Sequence, residues 1–212
     1  MNALPPHPAP TDDPLTHPAL MPETVSAVGR LPGNRFAVFA TLAAGGAIAD
    51  LWTKDAVFRW RGLPEQSDTW WLVDGYIGVE TAVNIGAVFG LGAGQGIWFA
   101  TLSVVAALAI LVWLFYFRAA SDWWLTIAMG CVFGGIIGNL YDRLGLWWTP
   151  GLPLAWKSGV RDWILWQAGE SYKWPNFNIA DSLLVCGAGL LLWRSFFPED
   201  QPAAASHRPG GH

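Results

Sequence analysis

Histidine is missing from the whole interior of this sequence. The chain has 212 residues and four histidines, all in the terminal tails, at His7, His17, His207 and His212. No imidazole is available between residues 18 and 206, which excludes Ser-His-Asp and Cys-His catalysis in the body of the chain. The same absence argues against a zinc protease site or a haem site. We therefore expect neither a metal nor a cofactor.

Charged residues are also scarce. They make up 13% of the chain, 12 basic and 16 acidic, against roughly 25% in an average globular protein. Four runs carry no Asp, Glu, Lys or Arg, namely residues 36–49, 81–117, 123–141 and 182–193. A net charge of −4 without a basic cluster excludes nucleic acid as a partner, since binding phosphates needs grouped Lys and Arg. This is the composition of a polytopic membrane protein.

Cysteine is limited to Cys131 and Cys186. Each lies in an apolar run between glycine and valine. We interpret both as small residues at helix-packing positions rather than as a redox pair.

Four segments are long enough to cross the hydrocarbon core of a bilayer, which takes about 20 residues. They are Phe36–Trp52, Trp98–Phe117, Trp123–Tyr141 and Ile179–Phe197. Eight prolines and no apolar periodicity in residues 1–33 predict a disordered tail. Residues 198–212 have the same character, which leaves residues 34–197 as one transmembrane domain.

The connections between these segments differ in length. A short link near residues 118–122 joins the second and third segments, so the two long connections lie together on the other side of the membrane. In the first of them, Asp74-Gly75 separates Trp70–Val73 from Tyr76–Val83, which predicts a β-hairpin. The second is rich in tryptophan, which favours the headgroup zone. The predicted fold is all-α, with four transmembrane helices and a small extracytoplasmic β element.

The sequence alone leaves the orientation open. Five Lys and Arg residues fall on the side of the tails and seven on the side of the long loops, so a simple count would place the long loops in the cytoplasm. Ala47-Ile48-Ala49 also matches a signal-peptidase site after an apolar stretch. The long, proline-rich region before it argues against cleavage there.

Acidic residues near a membrane are costly and require an explanation. Asp50 and Lys54 are spaced for an ion pair on one helical face. Asp142 adjoins Arg143, and Asp162 adjoins Arg161, so a structural ion pair is an alternative for each of these acids.

Asp181 has two interpretations. With Asn178 as N-cap, its carboxylate would complete a capping box and meet the positive end of the helix dipole. Alternatively, Asp162 and Asp181 face each other and share one proton, because two nearby carboxylates cannot both ionise cheaply. The ionised acid would then deprotonate a water molecule while the neutral acid donates a hydrogen bond to a carbonyl oxygen. This chemistry needs no histidine and no metal.

Five short segments of this four-helix arrangement contain acids, asparagines or glycines. They are Asp50–Lys54, Asn84–Phe89, Gly134–Arg143, Val160–Ile164 and Trp174–Ser182. In this order they resemble the five motifs of the lipoprotein signal peptidase (signal peptidase II) family, which are aspartic proteases of the bacterial cytoplasmic membrane. The resemblance covers residues 36–197.

The resemblance implies that Asp162 and Asp181 are the catalytic dyad. It implies substrate-binding or dyad-supporting roles for nine further residues, namely Asp50, Lys54, Asn84, Gly86, Asn139, Asp142, Arg143, Asn178 and Ala180. The implied reaction removes signal peptides from prolipoproteins by cleaving before a diacylglyceryl-modified cysteine. The implied partners are these precursors and membrane lipids, with the enzyme a monomer. It further implies a multi-pass inner-membrane protein with both tails cytoplasmic and the active site on the extracytoplasmic face.

The chain departs from the family pattern in a few places. Arg161 and Trp163 stand where the family usually has Val and Phe, and Gly90 stands where it often has Ser. The stretch between Arg143 and Val160 is longer than usual. A charge at Arg161 is expected to lower the pKa values of the dyad.

A small transporter or membrane assembly factor is the alternative function. Such a protein would use its intramembrane acids as proton or ion sites. This alternative accounts for the acids but not for the long aromatic loops.

Overall fold

The computed structural model describes residues 31–86, 92, 94–169 and 171–197. Residues 1–30 of the predicted N-terminal tail and the predicted C-terminal tail, 198–212, lie outside the described residues. So do Ala87, Val88 and Phe89 of the second motif and the departure at Gly90. The predicted domain boundaries stay predictions.

Among the described residues, four helices are long and apolar enough to cross a membrane. They are α1 (Gly33–Arg61), α2 (Gly96–Leu111, continued by a π-helical turn over Val112–Tyr116), α3 (Trp123–Arg143) and α4 (Ile179–Phe196). Each contains most of one predicted span, so the prediction of four transmembrane helices is confirmed.

The first helix is nine residues longer than predicted at its C-terminal end. Hydropathy suggested an end at Trp52 because charged residues follow, but the structure neutralises those charges. Lys54 is fully buried in an ion pair with Asp50, and Arg59 pairs with Asp55 one turn earlier on the surface. The helix ends where Gly62 adopts a φ of 83°, a conformation that favours glycine.

The third helix is the centre of the bundle and packs most extensively against α1 and α4. Small residues make this close approach possible. A Cβ atom on Gly134 would lie 2.9 Å from the carbonyl oxygen of Ala43 on α1. Cys131 is half-buried on α3, whereas Cys186 is exposed on α4, so the packing interpretation is wrong for Cys186.

A four-stranded antiparallel sheet lies outside the spans, in the order β1-β2-β3-β4. Its strands are β1 (Trp70–Val73), β2 (Ile77–Asn84), β3 (Val160–Ala168) and β4 (Tyr172–Lys173). The first two form the predicted hairpin, closed by a 3.0 Å hydrogen bond from the Tyr76 N–H to the Val73 carbonyl. The register of β2 shifts between Val79 and Ala82, and beyond this bulge Ala82 pairs with Asp162 of β3.

The sequence did not predict β3 and β4. Their region was interpreted as a tryptophan-rich surface, and part of it is one, since Trp166 is 55% exposed and contacts the ring of Trp174. The rest of this loop includes β3, which pairs with β2 as an inner strand of the sheet. This pairing fixes the position of Asp162.

Candidate active site

A capping box begins α4. The Asp181 N–H donates to the Asn178 side-chain oxygen over 2.9 Å, and the Asn178 N–H donates to Asp181 Oδ2 over 3.1 Å. The capping interpretation of Asp181 is therefore correct. Its other oxygen, Oδ1, accepts a 2.8 Å hydrogen bond from the side chain of Asn139 on α3, so the cap also holds this carboxylate against the bundle.

Asp162 lies on β3 and is 2% exposed. Its Oδ1 accepts a 2.6 Å hydrogen bond from the Asn178 side chain, and it is also hydrogen-bonded by Asn84 of β2. The alternative of a surface ion pair between Asp162 and Arg161 is wrong. Asn178 thus contacts both acids, Asp162 with its side chain and Asp181 with its backbone.

Burial raises the pKa of Asp162 well above its ordinary value, and the nearby carboxylate of Asp181 raises it further. Lys54 and the hydrogen bonds from Asn178 and Asn84 oppose this shift. Arg161 was expected to lower the dyad pKa values, but its guanidinium turns away to Asp142. The result is a buried acid that favours its protonated form beside a half-buried acid, Asp181.

We expect the stability of Asp162→Asn, relative to that of the wild type, to increase as pH rises. A raised folded-state pKa means that the protonated carboxyl stabilises the fold fully below its unfolded pKa of about 3.9, and that this contribution is lost as pH rises through the folded pKa. The neutral amide has no such loss. Thermal unfolding of both proteins across this pH range should show their difference growing in favour of the variant.

Asp68→Asn is the matched control, because Asp68 is an exposed acid on the loop after α1. Both variants replace one acid by its amide, so comparing them separates the effect of burial at Asp162 from the loss of an acid. A stability difference between Asp162→Asn and the wild type that is independent of pH would contradict the raised pKa.

Four buried charges form a neutral network beneath the acids. Lys54 Nζ lies 2.7 Å from Asp50 Oδ2 and 3.2 Å from Asp142 Oδ2, and it donates a 3.0 Å hydrogen bond to Asn139 Oδ1. Asp142 also binds the Arg161 guanidinium at 2.9 Å and accepts from the Arg161 backbone N–H. The expected pair of Asp50 and Lys54 is confirmed, whereas Asp142 pairs with Lys54 and Arg161 instead of Arg143.

Arg143 holds the segment that follows β2. Its guanidinium donates to the carbonyl oxygens of Asn84 at 3.3 Å, Ser158 at 3.0 Å and Gly86. The Gly86 N–H in turn donates to the Asn84 side chain over 3.0 Å. Arg143 also interacts electrostatically with both acids of the predicted dyad.

Ala180 and Asp50 join α4 to α1. The Ala180 N–H donates to Asp50 Oδ1 over 2.9 Å, and Ala180 is fully buried. All eleven residues predicted from the sequence therefore lie in one connected cluster of hydrogen bonds and ion pairs.

Residues that contact this cluster but were not predicted as site residues include Gly138, Ser158 and Arg161. A Cβ atom on Gly138 would overlap the Asp50 carboxylate, a role that its place in the glycine-rich third motif could have signalled. Ser158 contributes a backbone carbonyl, which leaves no signal in the sequence. Over the described ranges, no three His, Cys, Asp or Glu side chains converge in a way that could hold a metal ion.

Solved structures resemble this fold. Two bacterial membrane enzymes determined by the in meso method match with TM-scores of 0.61 and 0.59 at 23% and 22% identity. The matches cover 81% and 80% of this chain and 95% and 96% of the solved chains. This likeness supports the fold of four helices and a small sheet.

Relatives in sequence identify the family more specifically than the solved structures do. A lipoprotein signal peptidase of Rhodopirellula baltica is 61% identical over 90% of this chain and 85% of its own length. One from Xanthomonas campestris is 34% identical over 69% of this chain and 81% of its own length. Residues 42–197, which include every residue of the cluster, match the family described as signal peptidase (SPase) II. The chain belongs to the signal peptidase II family.

Proposed function

We propose that this protein is a membrane-embedded aspartic endopeptidase that removes signal peptides from lipid-modified prolipoproteins, cleaving before the diacylglyceryl-cysteine. One observation carries the proposal: a buried acid of the sheet, Asp162, and a half-buried acid of the bundle, Asp181, bind the same residue, Asn178. Membership of the signal peptidase II family supports the substrate class.

The two acids divide the reaction between them. Asp181 is ionised and takes a proton from a water molecule, whose oxygen attacks the scissile carbonyl carbon. Asp162 is protonated and donates its hydrogen to the carbonyl oxygen, so the tetrahedral intermediate carries no uncompensated charge. When the C–N bond breaks, the proton on Asp181 passes to the leaving nitrogen and the hydroxyl proton of the intermediate returns to Asp162. Both acids regain their starting states.

The different surroundings of the acids support this division. Asp162 is buried and its pKa is raised, which suits the proton donor. Asp181 is half-buried and receives hydrogen bonds from Asn139 and from the Asn178 N–H, which hold its carboxylate in place to take a proton from water.

The other residues of the cluster position these acids. Asn84, Asn139 and Asn178 orient the carboxylates, and Arg143 and Gly86 hold the end of β2 beside them. Asp50, Lys54, Asp142 and Ala180 tie α1, α3, β3 and α4 together beneath the dyad.

The signal helix, the lipid chains and the extended peptide of the substrate each have a different place in this fold. The signal helix lies among the four spans and the lipid chains stay in the bilayer. The β1–β2 hairpin clamps the extended peptide, since strand-type pairing with a sheet is a common mode of peptide recognition. The protein lies in the bacterial inner membrane with both tails cytoplasmic and the sheet outside.

The test is cleavage of a diacylglyceryl-modified precursor by the purified protein in lipid. We expect a product cut immediately before the modified cysteine, and no product from the same precursor with serine at that position. The transporter alternative would instead give a proton or ion flux in sealed proteoliposomes and no cleavage, and that result would overturn the proposal.

A further inference from the structure

A polar cavity of about 400 Å³ lies beside the sheet, outside the four spans. It is bounded by the loop after α1, by β2 and by the segment leading to α4. The polar and aromatic side chains that line it include Glu65, Glu80, Thr81, Trp156, Lys173 and Asn176.

The cavity is next to the dyad. Ala82 lines it and is the partner of Asp162 in the pairing of β2 with β3. Asn176 lines it two residues before Asn178, whose side chain donates to Asp162. The cavity therefore adjoins the strand that carries Asp162.

One acid of the cavity has no counter-charge. Glu80 is neutralised by Lys173, whose Nζ lies 2.5 Å from Oε2, and the Asn176 side chain donates to the same oxygen over 3.0 Å. Glu65 is exposed, and no ion pair or hydrogen bond from another described residue reaches its carboxylate. The charged side chains of the lining thus sum to −1, from Glu65 and Glu80 against Lys173.

We propose that this cavity binds the first residues of the mature polypeptide after the lipid-modified cysteine, and that Glu65 makes it prefer a basic residue over an acidic one. The inference rests on the proposed function. In that reaction the signal helix and the lipid stay in the membrane, so the mature chain is the part of the substrate that must run into water. A polar extramembrane cavity beside the dyad suits it.

The test compares precursors that differ at one early mature position. Lys, Asp or Gln is placed at each of the first positions after the cysteine, and kcat/KM is measured for each precursor. At one or more positions we expect Lys to exceed Asp by about two- to fivefold, the size expected of an exposed ion pair. The ratio should shrink as salt is added.

Variants of Glu65 show whether this residue causes the preference. Glu65→Gln should bring the Lys-to-Asp ratio close to one, and Glu65→Lys should reverse it. Asp68→Lys is the matched control, since Asp68 is an exposed acid on the same loop that does not line the cavity, and it should keep the wild-type ratio.

The outcomes separate the two proposals. If the wild type cleaves the Gln precursors but shows a Lys-to-Asp ratio of one at every position, this inference is wrong and the proposed function stands. An equal change of the ratio in Asp68→Lys and Glu65→Lys would also overturn the role of Glu65. If no precursor is cleaved, the proposed function fails and this inference fails with it.

Discussion

Replacing either Asp162 or Asp181 by asparagine should lower the cleavage rate of a diacylglyceryl-modified precursor by about a thousandfold or more, within the range for loss of a general acid or base. The amide has nearly the shape of the carboxyl group but neither takes a proton from water nor supplies one to a carbonyl oxygen. The two single variants and the double variant should be similarly inactive, because the acids act as a unit. Single-turnover assays on purified protein measure this directly.

Asp68→Asn controls for the removal of an acid outside the cluster and should keep wild-type activity. Thermal unfolding shows whether each inactive variant is folded, and Asp162→Asn is expected to be at least as stable as the wild type near neutral pH. Near wild-type cleavage by either dyad variant would contradict its assignment.

Replacing Asp142 by asparagine should destabilise the protein by about 3–5 kcal/mol, the usual effect of removing one partner from a buried ion pair. Asp142 is fully buried and is the counter-ion of Arg161 as well as one of two for Lys54. Its removal leaves two buried cations facing Asp50 alone. The free energy of unfolding in detergent or lipid is the quantity to measure.

The exposed pair of Asp55 and Arg59 provides the comparison. Both side chains are more than half exposed, so Asp55→Asn should leave stability almost unchanged. Asp142→Asn combined with Arg161→Met removes one cation along with the acid, and it should recover part of the lost stability. A loss for Asp142→Asn as small as that for Asp55→Asn would show that the network is not needed for folding.

Features encoded by nearby residues could be predicted from the sequence. Hydropathy located the four helices, and Asp74-Gly75 located the β1–β2 hairpin. The capping box of Asn178 and Asp181 followed from a spacing of three residues. These features depend on periods and turns that a short window contains.

Features that depend on distant partners could not be predicted this way. Strand β3 forms by pairing with β2, about 80 residues earlier in the chain. Without that strand, the sequence allowed an ion pair between Arg161 and Asp162. Successive side chains of a strand point to opposite faces, which is why Arg161 contacts Asp142 while Asp162 contacts Asn178. The end of α1 was misplaced for a similar reason, since the acids that let Lys54 be buried include one on α3.

The attachment of the two acids to different parts of the molecule has a pharmacological consequence. Asp162 belongs to the sheet and Asp181 to the bundle, and the side chain of Asn178 contacts both residues. A compound wedged between β3 and the first turn of α4 would part the carboxylates without imitating a lipid or a peptide. Inhibition therefore does not require a compound that imitates the proposed substrate.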